Sequence, residues 1–395
     1  MKFVKNPKMN KQVEKKLKIV TKIIADELKP VSVLLFGSFG KGEGTVLNGK
    51  EVFNDFDMYI ITKDKVKDSE LDRVGRKASN AIGMGGGEFI ETDGTNYDRK
   101  KFFHVDLRAI TLKNLKSLRK TTRTFEIKYA TQLLYGKDTR HLIKINEKEL
   151  PTSEGWRYLI NKSALLLLAM DSRRFSNHFN KDERLIAIYY CLKTFIDCSA
   201  AMLLLKKQYS GTYGGRNKLF KKLYGKEMPE IAKKLNWATN FKQDFRPDKI
   251  KNPIKLWKEA RNFLKFTLKY MAEKDFGITA SSLKELLSKL NRKMAFKYHV
   301  PYIPLGNITF PSQYLLNLLY FRKTGHLPVL FDWRDIGYRM MMPCLLLLYG
   351  IEDRSLLKEA KRYLWNMAPI KKDDFEGLRK AALYAYGNYY TQRLL

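Results

Sequence analysis

Residues 31–62 read VSVLLFGSFGKGEGTVLNGKEVFNDFDMYIIT. Residues 31–36 form a short apolar run bounded by Pro30 and by Gly37-Ser38, the pattern of a buried strand that ends in a sharp turn. In Asp55-Phe56-Asp57-Met58-Tyr59-Ile60, a period of two sets Asp55, Asp57 and Tyr59 on one face of a second strand and Phe56, Met58 and Ile60 on the other. One face can pack while the other presents two carboxylates. Between the strands, Asn48-Gly49 suits a primed two-residue turn, so residues 45–52 read as a small hairpin that delivers the chain to the aspartate strand.

Outward from this stretch, residues 10–29 carry Val13, Leu17, Val20, Ile24 and Leu28 at helical spacing. They predict an amphipathic helix that covers the sheet and ends at Pro30. Residues 65–82 predict a further helix, followed by a loop with Gly83, Gly85, Gly86 and Gly87. Residues 102–110 alternate, with Val105, Leu107 and Ala109 toward one side and His104, Asp106 and Arg108 toward the other. A helix through Lys128 and a strand from Gln132 to Tyr135, closed by Gly136, complete an expected first domain, residues 1–148. Residues 149–395 read as a mostly α-helical C-terminal domain, which makes the fold class α+β. Its expected helices are 153–170, 184–207, 218–235, 253–273, 281–293, 311–324, 333–349, 355–367 and 373–392.

The chain has 75 Lys+Arg against 41 Asp+Glu, a net charge of +34, and a field of that sign attracts polyanions. The surplus is dense in residues 214–252, where 11 basic residues meet 4 acidic ones and Phe220, Tyr224, Trp237, Phe241 and Phe245 are interleaved. That mixture suits RNA or DNA with bases to stack; the competing reading buries the aromatics and leaves the lysines solvated. Hydrophobic residues at 44% and aromatics at 13% exclude a disordered chain. Cys191, Cys198 and Cys344 lack paired C-x-x-C spacing, so neither a disulfide framework nor a zinc site is expected. The start, MKFVKNPKMNKQVEKK, has no apolar signal core, and the apolar patches at 164–170 and 340–349 are too short to span a bilayer. The expectation is a cytoplasmic protein without a membrane partner.

Carboxylates two apart on a strand can share hard divalent cations through oxygen ligands. A two-metal site, with ions about 4 Å apart, holds the attacking and leaving oxygens of an in-line phosphoryl displacement. It needs a further carboxylate, for which Asp106 is best placed and Glu88 is the rival. Bare glycine backbone at Gly37-Ser38 lets N–H groups approach phosphate oxygens, and Lys41, just after the turn, is placed to pair with a γ-phosphate.

Leu35-Phe36-Gly37-Ser38, Asp55-Phe56-Asp57-Met58 and Val105-Asp106-Leu107, in that order, resemble the DNA polymerase beta-like nucleotidyltransferase superfamily. Segments 125–136 and 154–157 are similar to microbial members of that superfamily. The resemblance implies a nucleotidyltransferase domain built on a mixed sheet flanked by helices. It also implies Mg²⁺ (two ions) as cofactor, Asp55, Asp57 and Asp106 as ligands, Asp106 as activator of the acceptor hydroxyl, and Gly37 with Ser38 on the triphosphate. The connection from Gly-Ser to Asp-x-Asp is long for the superfamily, and the Asn48-Gly49 hairpin accounts for the extra length. The expected activity moves a nucleoside monophosphate from an NTP, with ATP the first candidate, to a hydroxyl on a nucleic-acid end or a nucleotide. The alternatives are transfer to a small molecule or protein side chain, and a non-catalytic nucleic-acid-binding protein on the same fold.

Overall fold

In the computed structural model the Asn6 side chain accepts from the Met9 N–H and Pro7 occupies the first turn, which starts helix α1 (Pro7–Leu28) a few residues before the apolar stripe alone predicts. Lys29, at φ 44°, ends the helix in the left-handed region. Residues 1–53, 55–85, 104–297, 303–305, 308–310, 312–332 and 336–390 are described. They divide into two units, one built from residues 1–85, 104–154 and 206–251 and the other from residues 155–205 and 252–390.

The first unit contains strands β1 (Ser32–Leu35), β2 (Val46–Leu47), β3 (Glu51–Val52), β4 (Phe56–Thr62), β5 (Val105–Thr111), β6 (Gln132–Gly136) and β7 (Asp244–Phe245). Its helices after α1 are α2 (Gly37–Gly40), α3 (Asp68–Ala81) and α4 (Thr122–Tyr129). The main sheet runs β5-β4-β1-β6; β1 is antiparallel to both neighbours, and β4 is parallel to β5. Val13, Leu17, Val20 and Ile24 of α1 and Leu71, Val74 and Ala78 of α3 share one core with Val33, Leu35, Phe56, Met58, Ile60, Val105 and Leu107. Each of these Val, Leu, Ile, Phe and Met side chains, fully buried, contributes about 1.5–3 kcal/mol relative to exposure. The strands therefore give their apolar face to the helices and leave the face of Asp57 and Asp106 for other use. Ser79 of α3 fastens the edge strand, accepting the Val105 N–H at 2.9 Å while donating to the Gly75 carbonyl at 2.8 Å.

The expected hairpin forms as β2 and β3, with Asn48 and Gly49 both at positive φ (50° and 71°) and the Lys50 N–H on the Leu47 carbonyl at 3.0 Å. Its free edge takes β7, parallel to β2, so Asp244-Phe245 complete a small second sheet. Here the structure departs from a division at residue 148. Segment 206–251 returns to the first unit because the hairpin edge and buried Val46, Leu47 and Phe53 require a cover, and Phe245 supplies it 5.2 Å from the Phe53 ring. Within that segment the single helix expected over 218–235 is two, α8 (Tyr213–Tyr224) and α9 (Pro229–Gln243), because Pro229 can start a helix but not continue one.

Among the described residues the second unit is helical apart from the antiparallel strand pair Ile303–Leu305 and Ile308–Phe310. Its helices include α5 (Ser153–Leu168), α6 (Ser172–Phe175), α7 (Lys181–Leu205) and α10 (Pro253–Phe276). Later come α11 (Leu283–Lys297), α12 (Ser312–Thr324), α13 (Ile336–Arg339), α14 (Met341–Gly350), α15 (Ser355–Leu364) and α16 (Phe375–Tyr390). Helix α7 is long and apolar enough to cross a membrane by length and composition, and 89% of its apolar window is buried inside the protein. Several polar groups of this unit find partners inside it: Lys162 meets Asp197 at 2.9 Å, Trp156 donates to Asp275 at 2.8 Å and Trp257 to the Leu166 carbonyl at 2.9 Å.

Candidate active site

Cross-strand register builds the site. Asp57 of β4 stands opposite Asp106 of β5, and Tyr59 opposite Arg108. Adjacent strands lie about 4.8 Å apart, so paired residues project side by side from one face. Asp55 lies just before β4, its Oδ1 3.4 Å from the His104 backbone N–H and 3.7 Å from His104 Nδ1. The residue before β5 thus helps to hold the first carboxylate. Tyr59 is buried and meets the Phe36 ring edge-on at 5.2 Å, which makes it packing beneath the turn.

The glycine turn touches the aspartate strand directly. The Phe36 N–H donates to the Asp57 carbonyl at 2.8 Å. Gly37 sits at φ +66°, and a Cβ there would lie 2.2 Å from Asp57 Oδ2, so only glycine lets the carboxylate lie against the turn. Helix α2 is one turn, and the opening N–H groups of any such turn have no intrahelical acceptor. Ser38 is buried at 6% exposure, and its Oγ has no hydrogen-bond partner among the described residues. At the far end of the turn, Gln132 Nε2 donates to the Phe39 and Gly40 carbonyls, each at 3.1 Å.

Burial and the neighbouring carboxylates act on two of the three acids. Burial, followed by the charges of Asp57 and Asp106, lifts the Asp55 carboxyl well above its ordinary 3.8 against the opposing His104 N–H. Burial and Asp106 raise Asp57 to about 6, while Arg108, Arg123 and Lys41 pull it back. Asp55 and Asp106 each keep 26% of their side-chain surface exposed, so the site is reachable from solvent. Arg108 holds Asp106 Oδ2 through Nε at 3.1 Å and a terminal nitrogen at 3.0 Å. Among the described residues, no group of three or more His, Cys, Asp and Glu side chains stands in the close arrangement of a formed metal site. The donor set nevertheless suits a hard cation, being all oxygen and burdened with mutual repulsion.

Lys41 has an ion-pair partner within the chain. Its Nζ lies 2.7 Å from Glu126 Oε2, with 4% of its side chain exposed. Glu126 also accepts from Arg216 and, at 2.8 Å, from the Tyr209 hydroxyl. Burial works to raise the Glu126 carboxyl, but the Lys41 and Arg216 charges outweigh it and hold it below its ordinary value. A triphosphate would have to compete with Glu126 for Lys41. The cation that sequence reasoning missed is Arg123, exposed on the first turn of α4 and near enough to act on both Asp57 and Tyr59. Thr121, which caps α4 by accepting the Thr124 N–H, marks a helix start in the sequence, but nothing linear aims Arg123 at the carboxylates. Glu126 and Arg216 were likewise illegible, since Lys41, Glu126 and Arg216 are widely separated along the chain and meet only in the fold.

Of the aromatics in 214–252, Phe220, Tyr224 and Phe245 are buried core, while Trp237 and Phe241 pack together at 5.4 Å with Lys234 Nζ over Trp237. Glu88 lies outside the described residues. No family model and no curated protein matches the chain.

Proposed function

We propose that the first unit is an Mg²⁺-dependent nucleotidyltransferase that moves a nucleoside monophosphate from an NTP to a hydroxyl acceptor. The observation that carries this reading is the convergence of the Gly37 turn, with the orphaned Ser38 hydroxyl, on a buried Asp57 paired across the sheet with Asp106. Nothing in a purely structural role requires a turn to lie against repelling carboxylates that burial makes costly. Asp55, Asp57 and Asp106 would hold the metal, which when bound supplies positive charge to the triphosphate and to the oxygens entering and leaving phosphorus.

The protein's own groups account for the rest. The N–H groups opening α2 and the Ser38 hydroxyl donate to phosphate oxygens. Arg123, exposed beside Asp57, offers the triphosphate a cation that Lys41 does not readily provide. Arg108 fixes one oxygen of Asp106 and leaves the other to take the acceptor proton. As the acceptor oxygen bonds to the α-phosphorus, the bond from that phosphorus to the bridging oxygen breaks. Its electron pair leaves with pyrophosphate, and the acceptor proton passes to Asp106. The acceptor that best fits the chain's charge of +34 is a nucleic-acid end or another nucleotide.

Pyrophosphate release from each of the four common NTPs with Mg²⁺, with and without an oligonucleotide, tests the reading. Release should depend on Asp55, so that Asp55→Asn abolishes it without lowering the melting temperature. Ser38→Ala should raise the nucleotide KM severalfold, with kcat nearly unchanged, because a neutral hydrogen bond of about 1 kcal/mol to phosphate is mostly ground-state binding. Asp55→Asn activity within tenfold of wild type would refute the assignment.

A further inference from the structure

Helix α2 is a single turn, and one turn costs more in fixed backbone angles than its first hydrogen bond returns. Phe36, at its N-cap, has no polar side chain to offer. The turn is held instead through Lys41 and Glu43, which follow it. The Glu43 N–H donates to the Ser38 carbonyl at 2.9 Å, so Glu43 is tied to the residue whose hydroxyl is orphaned. Its carboxylate reaches the start of α8, where Oε2 accepts the Tyr213 N–H at 2.6 Å and Oε1 the Gly214 N–H at 2.7 Å. A carboxylate on open N–H groups at a helix start makes charge-assisted bonds in a favourable dipole.

Lys41 is fastened by the same short segment. Its Nζ lies 4.8 Å over the Tyr213 ring while it pairs with Glu126, and Glu126 is held in turn by Arg216 and the Tyr209 hydroxyl. Arg216 Nε donates to the Ser210 carbonyl at 2.9 Å, which closes residues 209–216 on themselves. Gly211 lets this loop lie close, since a Cβ there would come 2.6 Å from the Ala130 Cβ. Covering the hairpin does not require these contacts, because β7 and Phe245 already do that. The bonds of 209–216 fall on the glycine turn instead, and they include buried charges where apolar packing would serve stability as well. Such groups earn their place where a geometry must be exact, as donors aimed at a phosphate must be.

We propose that residues 209–216 position the nucleotide, with Glu43 as the link that holds the Ser38 backbone and the opening N–H groups of α2 toward the triphosphate. Glu43 is a positioning residue that acts through Ser38, and the inference rests on the nucleotidyltransferase reading above. Calorimetric titration of the full chain with Mg²⁺ and the α,β-methylene analogue of whichever NTP releases most pyrophosphate measures binding without turnover. Glu43→Gln keeps the side chain's size but sets an amide N–H against one of the two backbone donors. It should weaken analogue binding by about tenfold and raise the NTP KM to match, with kcat within about threefold of wild type. The penalty of Ser38→Ala should shrink in the Glu43→Gln background, because the hydroxyl is already misaimed there. Glu43→Asp keeps the charge at the helix start but withdraws it by one methylene; it should also bind less tightly than wild type, and it carries the same test if the Gln variant fails to fold. Wild-type affinity in variants whose melting temperature has fallen would show a merely structural tie and overturn the proposal, as would a Ser38→Ala penalty equal in both backgrounds. A wild type that neither binds nor releases pyrophosphate removes the nucleotidyltransferase reading and this inference with it; a wild type that binds no better than the Glu43 variants removes this inference alone.

Discussion

Replacing Asp57 by Asn should stabilise the protein when no divalent cation is present. Asp57 has its carboxyl raised from 3.8 to about 6, chiefly by burial and then by Asp106. At about 1.4 kcal/mol for each pH unit, the folded anion is disfavoured by roughly 3 kcal/mol above pH 6, and partial exposure of the site reduces this to on the order of 1–2 kcal/mol. The sign follows from the raised value. Stability associated with the protonated group is full below 3.8 and is lost as pH rises through about 6, so the advantage of the neutral Asn should be absent near pH 4 and complete by about pH 7.5. For a chain of this size the gain corresponds to roughly 1–2 °C in melting temperature. Melts of both proteins in EDTA across that pH range give the measurement, and Mg²⁺ should narrow or reverse the gap by stabilising wild type alone. An Asn variant that melts below wild type in EDTA at the alkaline end of that range, or a gap of the same size at its acid end, would refute the reasoning.

Gly37→Ala should cut pyrophosphate release more than a hundredfold, because the new Cβ would lie 2.2 Å from Asp57 Oδ2 on a backbone at φ +66°; release within tenfold of wild type would mean that the turn does not position the carboxylate. Asp106→Asn should leave nucleotide binding measurable by calorimetry while lowering turnover by several powers of ten, since proton acceptance matters chiefly in the transition state. If Glu88→Gln is dead instead and Asp106→Asn turns over normally, the second catalytic strand has been misplaced. Glu126→Gln should destabilise the fold by about 3 kcal/mol, because it leaves Lys41 and Arg216 buried without their shared counter-charge; a denaturant midpoint equal to wild type would show that water reaches those cations.

What the linear chain determined is what periodicity and local backbone chemistry control. The alternation of 55–60 placed Phe56, Met58 and Ile60 in the core and Asp57 on the opposite face, and the alternation of 104–110 did the same for Val105, Leu107 and Asp106. Asn48-Gly49 specified its turn because both residues tolerate positive φ. The apolar stripe of α1 was legible for the same reason, although its start needed the Asn6 cap. What only the tertiary structure decided is which separate pieces meet. Strand periodicity carries no register, so the pairing of Asp57 with Asp106 rather than with a neighbour came from the parallel ladder. Charge alone does not choose a partner: Lys41 went to Glu126, and Arg216 joined it from a segment that sequence composition grouped with the helical domain. That segment belongs to the first unit because an open hairpin edge and exposed apolar side chains must be covered, a demand visible only once the hairpin has folded.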